Sequence, residues 1–252
     1  MISIVVVSHS PALAQAAVDL ALEMGGDAPP TVRIAAGTSD GSTGTDAVAI
    51  AAAIDEVASP DGVLVLMDLG SAILSAGMAL EFVSSDAAVR LSDAPFVEGL
   101  IAAVVVAASG ASLDEVDAEV RRALDGKIAQ LEGAPGRKAA AEPPAAAPAE
   151  TATDPAPATS GVAVFTGVIR NPSGLHARPA AVFVKTVGRY DAKVTITDLG
   201  SDKAPASGAS LISLMSLGVT QGAKVRIDAS GPQAQEVIGE LESLVAQGFG
   251  EL

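Results

Sequence analysis

A 27-residue segment near the middle of the chain, residues 134–160, constrains the fold more than any other feature. It contains 11 alanines and 6 prolines and no large apolar side chain. Such a segment cannot bury enough surface to offset the conformational entropy lost on ordering, and its prolines interrupt regular helix. We therefore expect a linker that spans about 30 Å as a flexible coil and roughly 80 Å when fully extended. The sequence predicts two domains, residues 1–133 and 161–252.

The two predicted domains differ in charge. Residues 1–133 carry 5 basic and 19 acidic side chains, the linker carries 2 and 3, and residues 161–252 carry 8 of each. A chain with a net charge of −15 is a poor nucleic-acid binder, because contacts to phosphates need lysine and arginine. The absence of cysteine and the presence of only two histidines exclude disulfides, thiol nucleophiles, thiolate-bound metals and a three-histidine metal site.

Hydropathy does not indicate a membrane protein. Mean hydropathy is +0.44. The longest apolar runs, residues 47–54 and 100–108, are nevertheless much shorter than the roughly 20 residues that span a bilayer. The N-terminus lacks the basic segment that begins a signal peptide. We expect a soluble, cytoplasmic protein that does not bind membranes.

The first domain alternates strand and helix patterns. Apolar, β-branched strand runs alternate with helical spacing, and the order is strand 2–7, helix 11–24, strand 32–35, helix 46–57, strand 63–67, helix 73–82, strand 88–91, helix 95–108 and helix 113–131. Repeated β–α units predict an α/β fold, an open and mainly parallel sheet with helices on both faces. In such sheets, ligands bind at the C-terminal ends of the strands.

The second domain has a different order of elements. Its predicted order is strand 162–169, helix 177–188, strand 193–198, helix 211–217, strand 224–229 and helix 232–247. The strands alternate in polarity, as strands with one exposed face do. This order predicts an α+β open-faced sandwich with an antiparallel sheet.

The first histidine, His9, follows the first strand and lies at the edge where a ligand is expected. Asp68 follows the third strand and would reach the same edge, where a carboxylate can fix the imidazole tautomer and leave the other nitrogen as a nucleophile. The alternatives are a structural turn histidine and an aspartate that caps the next helix. Gly37 and Thr38 close the second strand, and Gly37 would let backbone N–H groups approach an anion.

The second histidine, His176, lies in the run Gly-Leu-His-Ala-Arg-Pro-Ala at residues 174–180. Pro179 suits the first turn of a helix, which places His176 at or near the N-cap. Free N–H groups at that position and the forked donor of Arg178 suit a phosphate. We therefore predict a site that carries a phosphoryl group, and an ordinary capping histidine is the alternative. The chain has no nucleotide-binding P-loop, so two phosphohistidines indicate a relay.

The second domain resembles HPr, the phosphocarrier family of the bacterial phosphotransferase system, from about residue 163 to 251. The resemblance rests on residues 174–180, on the run SLISLMSLGV at 210–219 and on Gly-Ala at 222–223. It implies that His176 takes a phosphoryl group from enzyme I on Nδ1, that Arg178 neutralises the phosphate and that Ala177 supports it.

Ser210 aligns with a serine that regulatory kinases phosphorylate in some members of the HPr family. An N-cap for the following helix is the alternative that we favour. Leu211, Leu214 and Leu217 could form a docking surface beside His176 or belong to the core.

The first domain resembles the DhaM family, the phosphotransferase subunits of dihydroxyacetone kinase, whose fold is that of the mannose-type EIIA. The resemblance rests on six motifs, VSHS at 7–10, AAG at 35–37, GTDAV at 44–48, MDLGSA at 67–72, APFVEG at 94–99 and AASG at 107–110. It implies that His9 is phosphorylated on Nε2 with Asp68 as its hydrogen-bond partner. It also implies a homodimer. Ser71 and Thr45 are further candidates to line the His9 pocket.

Together the two resemblances imply a relay from phosphoenolpyruvate through enzyme I to His176 and then His9. The last acceptor would be ADP held by the partner subunit DhaL, which phosphorylates dihydroxyacetone bound to DhaK, so this chain would bind no cofactor or metal itself. Because the sequence ends with the HPr-like domain, we expect enzyme I to act in trans. The alternatives are a mannose-type EIIA–HPr fusion that donates to a IIB transporter component and a regulatory module whose phosphorylation state reports sugar flux.

The charge difference also predicts how the two domains meet. An acidic first domain should attract a positive face, for which Arg170, Arg178 and Lys185 near His176 are candidates. Transfer should then slow as salt screens the attraction.

Overall fold

The computed structural model describes residues 1–131 and 161–251, and the predicted linker lies outside these residues. The first region contains four strands and six helices. In chain order they are β1 (Ser3–Ser8), α1 (Pro11–Gly25), β2 (Val32–Ala36), α2 (Ala47–Glu56), β3 (Val63–Met67), α3 (Ser71–Ala79), β4 (Val89–Ser92), α4 (Phe96–Ala108), α5 (Leu113–Arg121) and α6 (Asp125–Leu131).

The first region folds around a four-stranded parallel sheet in the order β2-β1-β3-β4. β1 and β3 are fully buried, as expected for central strands with helices on both faces. Val7 of β1 lies in register with Met67 of β3. The segments that follow these two strands are therefore adjacent at the C-terminal edge of the sheet.

The second region is an antiparallel sheet covered by helices. Its elements are β5 (Gly161–Val168), α7 (Ala177–Val187), β6 (Lys193–Asp198), β7 (Ala206–Ser207), α8 (Leu211–Ser216), β8 (Lys224–Gly231), α9 (Ala234–Ala246) and a 3-10 turn at Gly248–Gly250. The sheet order is β5-β8-β6-β7. Both predicted fold classes, an α/β sheet followed by an α+β sandwich, are confirmed.

Three details differ from the sequence prediction. The single helix predicted over residues 113–131 is two helices, α5 and α6, separated by a turn in which the N–H of Asp125 bonds to the carbonyl of Arg122. The short strand β7 and the 3-10 turn were not predicted. Both are short, and a hydrophobic period cannot be recognised over two or three residues.

The two regions pack against each other in this structure. Helices α7 and α8 of the second region contact α1, α4 and α6 of the first, and one cluster of buried apolar side chains includes residues from both. A second, smaller cluster lies on the other face of the parallel sheet, under α2 and α3. In the described part of the chain, no helix is long and apolar enough to cross a membrane.

Candidate functional site

The first site forms where β1 and β3 end side by side. Asp68, the first residue after β3, donates its backbone N–H to the carbonyl of Val7 in β1 at 3.1 Å. This bond continues the pairing of the strands by one residue and places the Asp68 side chain beside the turn that holds His9. The parallel register thus joins two residues that are far apart in the sequence.

The carboxylate of Asp68 holds the whole turn around His9. It accepts hydrogen bonds from the His9 backbone N–H at 2.8 Å, from the Ser8 hydroxyl at 2.9 Å and from the Leu69 N–H at 2.7 Å. It also lies 2.9 Å from Nδ1 of the His9 ring. The Asp68 side chain is only 5% exposed, against 22% for His9.

The hydrogen bonds keep Asp68 ionised. Burial acts to raise the pKa of this carboxyl group, but the hydrogen bonds from His9, Leu69 and Ser8 outweigh burial and leave the pKa below its usual range. A carboxylate at this distance accepts a proton from Nδ1. The neutral ring therefore carries its hydrogen on Nδ1 and a free lone pair on Nε2, which is the nitrogen available to a phosphoryl group.

The outer nitrogen of His9 faces Ser71, the first residue of α3. Its Nε2 lies 2.6 Å from the Ser71 hydroxyl. The N-cap of α3 is Gly70, at φ +44°, and it makes no side-chain cap. The alternative reading of Asp68 as the cap of this helix is therefore wrong, since its oxygens are taken by the His9 turn and Leu69.

Gly37 and Thr38 lie beside the site but use their donors within the loop. The Gly37 N–H donates to the carbonyl of Ser8 at 3.1 Å, and the Thr38 N–H donates to the carbonyl of Ser42 at 3.0 Å. Gly37 has φ +76°, and a side chain there would place its Cβ 3.0 Å from Pro11. The N–H of Gly37 itself is therefore engaged, and the glycine allows the loop to pass close to α1.

Two contacts near His9 were not anticipated. The Gly44 N–H donates to the carbonyl of His9 at 3.1 Å, which fixes the turn from the side of β2. The Thr45 hydroxyl lies 2.8 Å from that of Ser75 in α3. Thr45 is therefore engaged with α3 and makes no described hydrogen bond to the His9 ring.

The second site begins at His176, the N-cap residue of α7. Its approach is shaped by Gly174 at φ +67°, where a Cβ would lie 2.1 Å from the carbonyl oxygen of Val219. Ala177 is the first residue of α7, so its N–H has no partner within the helix. The His176 side chain makes no capping bond and is 38% exposed, so its ring is more open to solvent than that of His9.

A carboxylate that the sequence reasoning missed orients the His176 ring. Nε2 of His176 lies 3.1 Å from Glu251, and Glu251 also accepts a bond from Asn171 Nδ2 at 2.7 Å. Burial acts to raise the pKa of Glu251, but the bonds from Asn171 and His176 and the charge of Arg178 outweigh it and lower the pKa. Glu251 is 75 positions from His176, so no local pattern could have indicated the contact.

Asn171 holds the Glu251 carboxylate in position. It is fully buried, and its Nδ2 also donates to the carbonyl of Gly248 at 2.7 Å.

The side chain of Arg178, by contrast, is 58% exposed, and its guanidinium lies 3.9 Å from Glu23 of α1. Among residues 1–131 and 161–251, no group of three or more acidic or histidine side chains could hold a metal ion.

Ser210 is the N-cap of α8, as the favoured interpretation predicted. Its hydroxyl accepts the N–H of Ser213 at 3.0 Å and donates to both carboxylate oxygens of Glu119, at 2.8 and 2.9 Å. Leu211, Leu214 and Leu217 are buried at 4% exposure or less. They belong to the core, so the reading of these three leucines as a docking surface is wrong.

Comparison with known proteins matches each region separately to a family. Residues 3–117 match the EIIA-man family, described as the PTS system fructose IIA component. Residues 164–247 match the PTS-HPr family, described as the PTS HPr component phosphorylation site.

Longer matches cover both regions. The chain is 38% identical over 255 aligned residues to the "PEP-dependent dihydroxyacetone kinase, phosphoryl donor subunit DhaM" of Escherichia coli (strain K12), covering 100% of this chain and 51% of that protein. The DhaM of Pantoea ananatis (strain LMG 20103) is likewise 38% identical, with the same coverage. The chain thus spans about half the length of the curated relatives it matches. Among solved structures, HPr-C-His from Thermoanaerobacter tengcongensis is 37% identical, covering 36% of this chain and 98% of that one, with a TM-score of 0.33.

Proposed function

This chain joins a domain of the EIIA-man family to a domain of the HPr family, in the order in which DhaM phosphoryl donor subunits align with it, and we propose that it relays phosphoryl groups to a dihydroxyacetone kinase. The observation that carries the proposal is the pairing of His9 with Asp68. The pairing leaves Nε2 of His9 as a nucleophile at the edge of a parallel sheet. His176 supplies the second phosphohistidine of the relay.

The relay begins when phospho-enzyme I, charged by phosphoenolpyruvate, transfers its phosphoryl group to Nδ1 of His176. The Glu251 contact lies at Nε2 and therefore leaves Nδ1 for this bond. The N–H of Ala177, unpaired within α7, and the guanidinium of Arg178 are suited to bind the phosphate oxygens.

In the second step, Nε2 of His9 attacks the phosphorus atom. The new N–P bond on His9 forms as the N–P bond on His176 breaks, so the phosphoryl group moves and His176 is returned unmodified. The Nδ1 hydrogen of His9 stays in its hydrogen bond to Asp68, whose negative charge compensates the positive charge that develops on the ring. Ser71 lies beside Nε2 and is placed to contact the incoming phosphate.

The last acceptor in this proposal is ADP held by DhaL, which then phosphorylates dihydroxyacetone bound to DhaK. The nucleotide is a cofactor of that partner and is regenerated in each cycle. We place the relay in the cytoplasm, where phosphoenolpyruvate is made, and we propose that the first domain forms a homodimer. An exposed apolar face on α3 supports the dimer, since Ile73, Leu74 and Met78 are each more than half exposed.

Reconstitution tests the proposal. The full chain is mixed with enzyme I, phosphoenolpyruvate, DhaK, DhaL, ADP and dihydroxyacetone, and the phosphorylated product is measured. A His176→Ala variant should leave His9 unlabelled, while a His9→Ala variant should still be labelled at His176 and yield no product. If His9 is labelled but no dihydroxyacetone phosphate forms, the proposed acceptor is wrong. Product formation only after a IIB transporter component is added would favour the sugar-transport alternative.

A further inference from the structure

The contact between the two regions is centred on Glu119 of α5. This carboxylate is only 8% exposed, and the donors that surround it come from the second region. It accepts the Ser210 hydroxyl at 2.8 Å and the Ile212 backbone N–H at 2.7 Å. A nearly buried carboxylate needs such donors, because burying an unpaired charge is costly. The bonds therefore hold the start of α8 on α5.

Close packing surrounds this contact. On one side, Gly126 of α6 meets Met215 of α8 so closely that a Cβ on the glycine would lie 3.3 Å from the Cβ of Met215. On the other side, Gly188 meets Ser109 at the end of α4, and a Cβ there would lie 2.6 Å from the serine Cβ. The two surfaces are closely fitted, since a Cβ at position 188 would overlap Ser109 and a Cβ at position 126 would press on Met215.

Charge is also complementary across the contact. Arg178 pairs with Glu23. Lys185 lies against Gly26 and interacts with the negative charge of Asp27. The pKa of Lys185 is lowered by burial, partly opposed by the charge of Asp27. Two of the three cations that we expected to meet the acidic domain, Arg178 and Lys185, lie against it. They do so, however, at the C-terminal end of α1.

That end of α1 is remote from His9. His9 lies two residues before Pro11, the first residue of α1, and Glu23, the partner of Arg178, lies 12 residues after Pro11. At 1.5 Å per residue the two ends are about 18 Å apart. The hydrogen bonds described for the His9 ring go to the first region, and the one described for the His176 ring goes to the second. The packed arrangement thus keeps the two histidines apart.

We propose that the surface formed by α4, α5 and α6 is a docking site for the HPr-like domain of the same chain, with Glu119 as its latch, and that the docked state cannot transfer between the histidines. The proposal rests on the relay proposed above. Phosphoryl transfer from His176 to His9 then requires the second domain to leave this surface and return at the opposite edge of the sheet. The 29 residues between α6 and β5 can span that distance, since a flexible coil of this length covers about 30 Å.

Docking also limits access to the second domain. Residues at the start of α8 are covered by α5 and α6, and Ile212 and Leu211 are 3% and 1% exposed. His176 itself remains 38% exposed at the rim. The docked state therefore leaves His176 open to solvent while covering the start of α8.

A reversible cross-link tests the proposal. The chain has no cysteine, so a Gly126→Cys, Met215→Cys variant contains a single thiol pair. The two Cβ positions are 3.3 Å apart, so a shift of a few tenths of an ångström brings them to the usual separation of a disulfide. His176 is charged with labelled phosphoenolpyruvate and enzyme I, and label reaching His9 is followed in one turnover, at concentrations where dilution does not change the rate. We expect the oxidised form to transfer at least about tenfold more slowly than the same protein after reduction. The Gly126→Cys single variant, which cannot cross-link within a chain, should be unaffected by oxidant.

The outcomes separate the two proposals. If the reduced double variant and the unmodified chain both fail to label His9, the relay is wrong and the docking inference fails with it. If both transfer and the oxidised form transfers equally fast, the relay stands and the docking inference is overturned.

A second variant addresses the latch directly. Glu119→Gln keeps the size of the side chain but removes the charge that binds the start of α8, so the docked state should be populated less. We expect transfer from His176 to His9 to become several-fold faster, with no change for Glu81→Gln, an exposed carboxylate of the same domain. A Glu119→Gln rate equal to that of the unmodified chain would show that Glu119 is not the latch.

Discussion

The two proposed phosphohistidine sites, at His9 and His176, differ in how a carboxylate orients the ring. At His9 the partner is Asp68, which follows the adjacent strand β3, is 5% exposed and is bonded to the Ser8 hydroxyl, to the backbone and ring of His9 and to the Leu69 N–H. At His176 the partner is Glu251, near the C-terminal end of the chain and 21% exposed, with Asn171 as its support. The first site is held by more hydrogen bonds and is less exposed than the second.

This difference fits the two roles in the proposed relay. A carrier must meet several proteins in turn, so an exposed ring with a loosely held partner suits His176. An acceptor that passes the group on to a bound nucleotide benefits from a fixed tautomer and a fixed nucleophile, which His9 obtains from Asp68. Removing the partner carboxylate should therefore cost more at His9 than at His176.

The largest expected effect is that of Asp68→Asn on transfer from His176 to His9. The amide cannot hold the Nδ1 hydrogen as a carboxylate does, so the ring would no longer keep its free lone pair on Nε2. We expect the single-turnover transfer rate to fall about 100-fold. Asp86→Asn, an exposed change in the same domain, is the control. If the transfer rate of Asp68→Asn stays within a few-fold of that of the unmodified chain, the comparison between the His9 and His176 sites is wrong.

The difference in stability between the unmodified chain and Asp68→Asn should depend on pH in a defined direction. The folded-state pKa of Asp68 lies below its ordinary value of 3.8, so its contribution is fully present above that value and is lost as pH falls through the folded-state pKa. We expect Asp68→Asn to lower the free energy of unfolding by about 1–3 kcal/mol at pH 7, since donors lose their ionised acceptor. Urea titrations should show the difference shrinking below about pH 4. A difference that grows with acid would contradict the assignment.

Two serine helix caps, one in each domain, should contribute differently to stability. Ser112 caps α5 in a capping box with Glu115, and Ser210 caps α8 while also donating to buried Glu119. Ser112→Ala should cost about 1 kcal/mol for the lost cap. Ser210→Ala should cost about 2 kcal/mol, because Glu119 also loses a donor. Thermal unfolding of both variants measures the difference, and equal costs would show that the Glu119 bond contributes nothing to stability.

The smallest expected effect is that of Glu251→Gln on the charging of His176. The amide oxygen can still accept from Asn171, and water reaches the exposed ring, so the ring loses little of its orientation. We expect the rate of labelling by phospho-enzyme I to fall about threefold, which corresponds to well under 1 kcal/mol. Glu242→Gln, an exposed change on α9, is the control. A loss as large as that of Asp68→Asn at His9 would show that the two sites depend equally on their carboxylates.

Much of the fold and part of the sites followed from local patterns. The buried runs of β1 and β3 predicted a parallel sheet, and the parallel order then predicted that Asp68 would reach the edge that holds His9. The contacts at Glu251 and Glu119 could not be predicted in this way. Each joins residues more than 70 positions apart, and no period or turn motif relates such positions before the chain is folded.

The sequence by itself determined two regions of different fold class, the placement of each histidine after a strand or turn and before a helix, and the concentration of negative charge in residues 1–133. These are properties of local pattern and composition, which act over a few neighbouring residues. Only the tertiary structure decided which carboxylate orients His176 and where the second region docks. Those outcomes depend on the packing of surfaces that only folding brings together. The roles of Gly126 and Glu119 are therefore visible only when the residues that they contact in the second region are in place.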